Sequence, residues 1–476
     1  MKTPASIVLA ILVVATSNYH GAPSADAFVG ASPRSPRTSW GLLGRGRSVF
    51  VTTSADDVVS GSAQGATATP PSWEDLAQSL DDLTSEEETP EPLVTLYRDT
   101  NGWCPFCERV WLILRAKGIP YDEQLISLQN KPEWYKALVP TTLVPAILIK
   151  NDSESNERHI VWESTDIMNA LEEEFPDTPR MVHDTPEFDA AVQMMEELQM
   201  AGVQHVYGGR NATLTDEEKS ERKASFLSEL DRLDASLQKH GGPFRMGNEF
   251  SGVDALLVPT LERWRYQLPL ADDPVDIVAG RPGLVRWFEA MDAYLPYNGR
   301  VRGDEYSWTA TNSMFLRYFG GDETKPEVAA AIQRADDAAE RLVASFVERA
   351  VEDEDGKYAK EAATKLIANH EAVVLDCTRS DPQSQQHIGR ATNNDTADAM
   401  LRHVVSVLLS AALTNENAVL RAGDLRLHHV ESGSKKDAAL AARTVASRLC
   451  APRDMSAPAA SILRAVLASV AIRLER

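Results

Sequence analysis

Leu93-Val94-Thr95-Leu96-Tyr97, then Trp103-Cys104-Pro105-Phe106-Cys107, then the run 108–117 form the stretch that decides how this chain is read. The first run is apolar and partly β-branched and predicts a short strand, while 108–117 carries apolar residues at helical spacing. The CxxC sits in the turn between them. A thiol at the first turn of a helix meets unpaired N–H groups and the positive end of the helix dipole, which favour thiolate, and the thiolate is the nucleophile. The turn therefore predicts a redox-active cysteine, with Cys104 as nucleophile and Cys107 as its candidate resolving partner.

Outward from that turn, Gly118-Ile119-Pro120-Tyr121 breaks the helix and a second strand through 125–128 completes a βαβ unit. A short helix over 132–138, a strand over 146–150, its hairpin partner over 159–162 and a helix over 164–175 follow. After these no strand pattern recurs. The stretches 188–206, 216–238, 252–265 and 284–294 repeat apolar residues at helical spacing, and Ser251 to Asp254 form a capping box with Phe250 as hydrophobic staple. Farther on, 326–351, 358–375, 396–413 and 457–474 look helical, separated by polar breaks at 378–392 and 431–436.

A length of 476 residues exceeds one ordinary domain, so several modules are expected. With 70 acidic against 48 basic residues the net charge is −22, which argues against nonspecific attraction of the whole chain to nucleic acid or anionic membranes. The four cysteines include no second CxxC, and no histidine pair completes a zinc site, so no metal is expected. Cys377 and Cys450 read as small buried apolar residues.

Lys2, the apolar run 7–15 and Ala25-Asp26-Ala27 have the pattern of a signal peptide over 1–27. The segment 28–65 opens on Phe28, has no acid through 55 and carries Arg34, Arg37, Arg45 and Arg47, a transit-peptide composition. Together they resemble the bipartite plastid leaders of algae with secondary plastids; secretion is the competing reading. No stable membrane anchor is expected after processing. Residues 66–92, rich in Pro, Ser, Thr and acid, read as an acidic linker, with a helix over 73–83 only if a neighbour docks on it.

The order βαβ, α, ββα is the thioredoxin-like arrangement, and three separated motifs give it a family. Cys104-Pro105-Phe106-Cys107, Val144-Pro145-Ala146 and Glu163-Ser164 together resemble the glutathione S-transferase family of the cysteine type, similar to the omega and lambda classes and to glutaredoxins. The resemblance implies an α/β thioredoxin-like domain over 93–182, an all-helical transferase domain over 183–300 and a helical extension of unknown role over 301–476. It also implies glutathione as cosubstrate, with Pro105 and Phe106 in the catalytic turn, Val144 and Pro145 as the cis-proline segment whose backbone pairs with the tripeptide, and Glu163 and Ser164 holding its γ-glutamyl group. The pattern departs at Thr141-Thr142-Leu143, where related classes often carry a glutathione-contacting Lys.

The function implied is glutathione-dependent thiol–disulfide exchange on a small or protein disulfide. The alternatives are a non-catalytic binding or assembly module, glutathione conjugation, and dehydroascorbate or hydroquinone reduction; a homodimer is left open. The second substrate is expected between the two domains, and Trp264, Tyr266, Trp287 and Tyr297 are expected in the core.

Overall fold

Helix α1 (Trp73–Leu83) and strand β1 (Val94–Asp99) precede the cysteine turn, and helix α2 (Pro105–Ala116) follows it. The computed structural model describes residues 70–83, 90–150, 159–206, 214–319, 324–378, 391–414, 417–419, 422 and 432–476; the leader expected over 1–65 lies outside them. Every residue of β1 is buried, as in a central strand covered on both faces. Strand β2 (Tyr121–Ile126) pairs with it in parallel. Helix α3 (Glu133–Leu138) then leads to strands β3 (Ala146–Ile149) and β4 (His159–Trp162), both antiparallel additions, for a sheet order β2-β1-β3-β4. Strand β2 starts at Tyr121 rather than at 125. It is an edge strand whose first five residues alternate between half-buried and exposed before buried Ile126, so its polar first half gave no apolar signal.

Helix α4 (Ser164–Glu174) closes this thioredoxin-like domain, and helices α5 (Pro186–Val206), α6 (Asp216–Lys239), α7 (Gly252–Gln267) and α8 (Pro282–Ala293) form the all-helical domain beside it. One apolar core runs through both, joining Leu96 and Trp111 to Phe226, Leu261 and Trp287. Trp264, Trp287 and Tyr297 lie in that core, whereas Tyr266 stays half-buried. At the start of α7 the Asp254 carboxylate accepts from the Ser251 N–H at 3.0 Å and from its hydroxyl at 2.8 Å, the expected capping arrangement.

The extension consists of α9 (Glu305–Phe319), α10 (Pro326–Ala344), α11 (Lys357–Thr378), α12 (Asn394–Thr414), α13 (Ser432–Arg448) and α14 (Ala457–Leu474), with a core of its own. Three expectations change. Helix α9 is unpredicted, because it buries Ser307, Thr309, Thr311, Asn312 and Ser313 among Tyr306 and Trp308, so its buried residues form no continuous apolar stripe. The break at 431–436 falls inside α13, and the helix expected to 351 ends at Ala344. The break at 378–392 lies largely outside the described residues. Buried Arg464 of α14 ties the extension to the transferase domain's exit, pairing with Asp304 at 2.5 Å and donating to the Ser307 hydroxyl and the Leu449 carbonyl.

Helix α1 finds its neighbour in this extension. Leu76 is buried in the extension's core, the Trp73 ring stacks on His370 at 4.2 Å and its indole N–H donates to Asp398 at 2.7 Å. Residues 66–92 therefore contain a packed helix. Helices α12 and α14 are long and apolar enough to cross a membrane, and in the structure both contribute to the extension's core.

Candidate functional site

The site is built on the turn from β1 into α2. Asp99, the last residue of β1, accepts the Trp103 N–H at 2.8 Å through Oδ2, which folds the turn back on the strand. Gly102 adopts a positive φ of 66°, and Cys104 becomes the N-cap of α2 with Pro105 opening the helix. Cys104 is partly exposed and free, and its side chain makes no capping hydrogen bond. The helix N-terminus thus leaves N–H groups and a positive dipole end beside its sulfur.

Cys107 lies close to Cys104 but deeper. It is buried in a small apolar cluster with Tyr97, Tyr135 and Val144, and burial pushes its thiol well above the ordinary value; the Cys104 sulfur and the Asp99 carboxylate add to the effect. Asp99, Cys104 and Cys107 bring one donor atom each within 4.8 Å of one another, and Asp99 Oδ1 is buried without a hydrogen-bond partner. Such a donor set suits a thiophilic cation in type. Against that, Cys107 is held as a thiol, whereas a metal takes thiolate.

Phe106, Thr141, Leu143, Val144, Pro145, Glu163 and Ser164 line one cleft beside the cysteine turn. Five of the six implied ligand residues, Phe106, Val144, Pro145, Glu163 and Ser164, therefore meet, although they come from three separate stretches of chain; Pro105, which opens α2, does not line the cleft. The Val144–Pro145 bond is cis. Tyr135 donates to the Leu143 carbonyl at 2.6 Å and so anchors this wall from α3. Glu163, not Ser164, occupies the N-cap of α4, which leaves Ser164 as its first residue, buried at the cleft edge. Two non-glycine residues among those described have positive φ, Thr142 at 56° and Glu163 at 68°. Both lie on the segments that form this cleft, and held strain of this kind gathers at ligand clamps. Partial burial, with Asp166 close by, pushes the Glu163 carboxyl up.

Three cations that the sequence reading missed face Cys104. Arg109 of α2, Lys131 ahead of α3 and Arg263 of α7 are all electrostatic neighbours of its sulfur. Burial brings the Arg109 guanidinium down to about 10, still charged at neutral pH, and its Nε has no hydrogen-bond partner. Lys131 places an ammonium by the site from a position other than the departed 141–143 segment. Arg263 donates to the Trp103 carbonyl at 3.0 Å and to Glu108 at 2.8 Å, clamping the cysteine turn to the helical domain. The motif logic identified residues local to each turn; Lys131 and Arg263 come from separate elements and carry no local signal, and Arg109, on α2 itself, falls outside the motif.

The extension reaches the same turn. Trp103 meets Phe315 of α9 edge-to-face at 5.7 Å, and a Cβ built on Gly102 would sit 3.4 Å from Pro452 Cγ. Arg300 donates to the Pro452 carbonyl, so this loop is held against the domain it abuts. Cys450 in the same loop and Cys377 of α11 are buried and free, and burial pushes both thiols up, Cys377 to about 12.

Residues 103–174 match the glutathione S-transferase N-terminal domain and residues 187–290 the glutathione S-transferase C-terminal domain. The chain is 33% identical over 163 residues to a probable glutathione S-transferase DHAR4 of Arabidopsis thaliana, covering 34% of this chain and 68% of that protein. It is 29% identical over 210 residues to glutathione S-transferase L1 of the same plant, covering 43% of this chain and 80% of the relative. Among solved structures, dehydroascorbate reductase of Chlamydomonas reinhardtii is similar at 22% identity and a TM-score of 0.35, over 43% of this chain and 90% of that one. With its thioredoxin-like and all-helical domains joined in one core, the chain belongs to the glutathione S-transferase family of enzymes.

Proposed function

We propose that this protein is a glutathione-dependent thiol transferase of the cysteine type, acting by thiol–disulfide exchange with Cys104 as nucleophile. The observation that carries the reading is the partly exposed Cys104 at a helix N-cap, faced by Arg109, Lys131 and Arg263. Thiol–disulfide exchange needs an accessible cysteine sulfur, and Cys104 is partly exposed. In the first step Cys104 attacks the glutathionyl sulfur of a mixed disulfide, the substrate leaves as its thiolate, and Cys104 carries the glutathione. A second glutathione thiolate then attacks that sulfur, which regenerates Cys104 and forms oxidised glutathione. Glutathione is the cosubstrate, with Val144 pairing to its backbone and Glu163 and Ser164 holding its γ-glutamyl end.

Cys107 takes no part in this scheme. Its burial and raised thiol disfavour the deprotonation that a resolving attack requires. The test compares variants of the chain from residue 66 onward on a glutathionylated peptide with glutathione as reductant. Cys104→Ser abolishing turnover while Cys107→Ser keeps it supports the reading; equal loss in both rejects the monothiol scheme. Conjugation of an electrophile surviving Cys104→Ala overturns the mechanism, and glutathione binding without turnover favours a binding module.

We further propose delivery to a plastid by the leader over 1–65, on its composition and Phe28. A reporter fused to residues 1–60 and found in the medium instead of the plastid overturns that assignment.

A further inference from the structure

One charge beside the nucleophile has no counter-ion. Arg109 follows Phe106 by one helical turn on α2, so the two share a face, and its guanidinium lies 5.0 Å from the centre of the Phe106 ring. The residue is 6% exposed, yet among the described residues its guanidinium has no hydrogen bond and no ion pair. The nearby carboxylates do not supply one. Glu108 is held by Arg263 at 2.8 Å, and Glu196 of α5 is exposed to solvent.

Buried charges are ordinarily paired, because taking an ion out of water without a partner is costly. Arg263 obeys that rule, committed to Glu108, the Trp103 carbonyl and the Trp308 ring. Arg109 does not, although it stays charged at neutral pH and the Cys104 sulfur is its foremost electrostatic neighbour. Its Nε is sealed in while Nη1 and Nη2 are not, so the end of the fork stays open. Phe106 lines the glutathione cleft and Arg109 does not, which places the fork next to the reacting sulfur but outside the cleft assigned to the tripeptide. The surrounding charges come from α5 and α7 as well as α2, so it opens at the junction of the two domains.

We propose that Arg109 is the specificity-determining residue of the exchange reaction: it binds a carboxylate on the thiol displaced from glutathione, so that glutathionylated thiols carrying a carboxylate are the favoured substrates. The inference rests on the exchange reading given above. As Cys104 attacks the glutathionyl sulfur, a new S–S bond forms to Cys104 and the old one breaks, its electron pair leaving on the substrate's sulfur. The departing thiolate and its carboxylate then lie beside the guanidinium. A guanidinium fork takes a carboxylate through two N–H donors, a contact that a neutral or cationic thiol cannot make.

The test assays the full chain, with glutathione as reductant, on the mixed disulfides of glutathione with mercaptopropionate, mercaptoethanol and cysteamine, which offer an anion, a neutral hydroxyl and a cation at similar size. Each kcat/KM is divided by the uncatalysed rate of the same disulfide with glutathione, which removes the difference in leaving-group basicity. The mercaptopropionate value should exceed the mercaptoethanol value about tenfold, as for one charge-assisted contact, with cysteamine lowest. Arg109→Gln should bring that ratio to within about twofold of unity, and Arg109→Lys should keep part of it. The ratio is taken within each protein, so a change in the amount of folded variant leaves it intact. Equal values for the anionic and neutral disulfides in the parent overturn the assignment. Retention of the parent's ratio by Arg109→Gln also overturns it, because a cation serving the Cys104 sulfur alone would slow all three disulfides alike. A parent that turns over none of the three rejects the exchange reading itself and the selectivity with it, an outcome distinct from exchange without preference.

Discussion

Removing the guanidinium of Arg263 should cost more stability than its single position suggests. It lies 2.8 Å from Glu108, whose side chain is 1% exposed, and a second buried acid, Glu262, stands beside the pair. Arg263→Met leaves two buried carboxyls facing each other without the cation between them. Breaking a buried pair from one side typically costs 3–5 kcal/mol, and because Arg109 still acts on Glu108 the lower end, about 3 kcal/mol, is expected here. The Trp103 carbonyl also loses its donor, so the turn that presents Cys104 loosens with the fold. Urea unfolding at neutral pH of the parent, Arg263→Met, Glu108→Met and the double variant gives the coupling directly. The double variant should recover to within about 1 kcal/mol of the parent, since both members of the buried pair leave together. A single-variant loss under about 1 kcal/mol, or a double variant no better than the single, would refute the reasoning.

Other outcomes follow from the same geometry. Burial, with Glu108 close by, pushes the Glu262 carboxyl up to about 8, so the folded chain keeps a proton there that the unfolded chain releases near the ordinary carboxyl value. Stability from this group is therefore complete in acid and lost as pH rises toward 8, and Glu262→Gln should gain about 2 kcal/mol on the parent between pH 6 and pH 8 in urea titrations; a flat difference sinks the idea. Lys131→Glu should slow alkylation of Cys104 by iodoacetamide about threefold at neutral pH, because one of three facing cations is replaced by an anion; an unchanged rate excludes Lys131 from the thiolate's field. Trp73→Ala deletes the stack on His370 and the bond to Asp398, and should lower stability of the extension by about 2 kcal/mol in thermal unfolding, with thiol exchange at Cys104 retained. Loss of both together would mean that the extension and the cysteine turn unfold as one unit.

What the sequence made legible was whatever depends on local spacing. Strand β4 and helix α14 fall where periodicity placed them, and Phe106, Val144–Pro145 and Glu163–Ser164 line one cleft. Helix α9 escaped because periodicity detects a continuous apolar stripe, and this helix interleaves buried hydroxyls and an amide with Tyr306 and Trp308. Helix α13 escaped because Ser432-Gly433-Ser434-Lys435-Lys436 has the composition of a break, although tertiary packing on α14 overrides it. The charges around Cys104 escaped for a different reason: Lys131 and Arg263 reach it from separate elements, and only the folded chain sets their distance.

Helix α1 has a consequence for the order in which the molecule is made. Eleven residues of helix are marginal alone in water, and the partners of α1, His370 and Asp398, lie some three hundred residues downstream. During synthesis the segment leaves the ribosome long before those partners exist. The thioredoxin-like and helical domains can assemble in the meantime, because their shared core draws on residues between β1 and Val301. Until α11 and α12 arrive, the Trp73, Leu76 and Leu80 face stays uncovered, a window in which a chaperone or a protease can read it. A module translated some three hundred residues later is the one that shelters this helix.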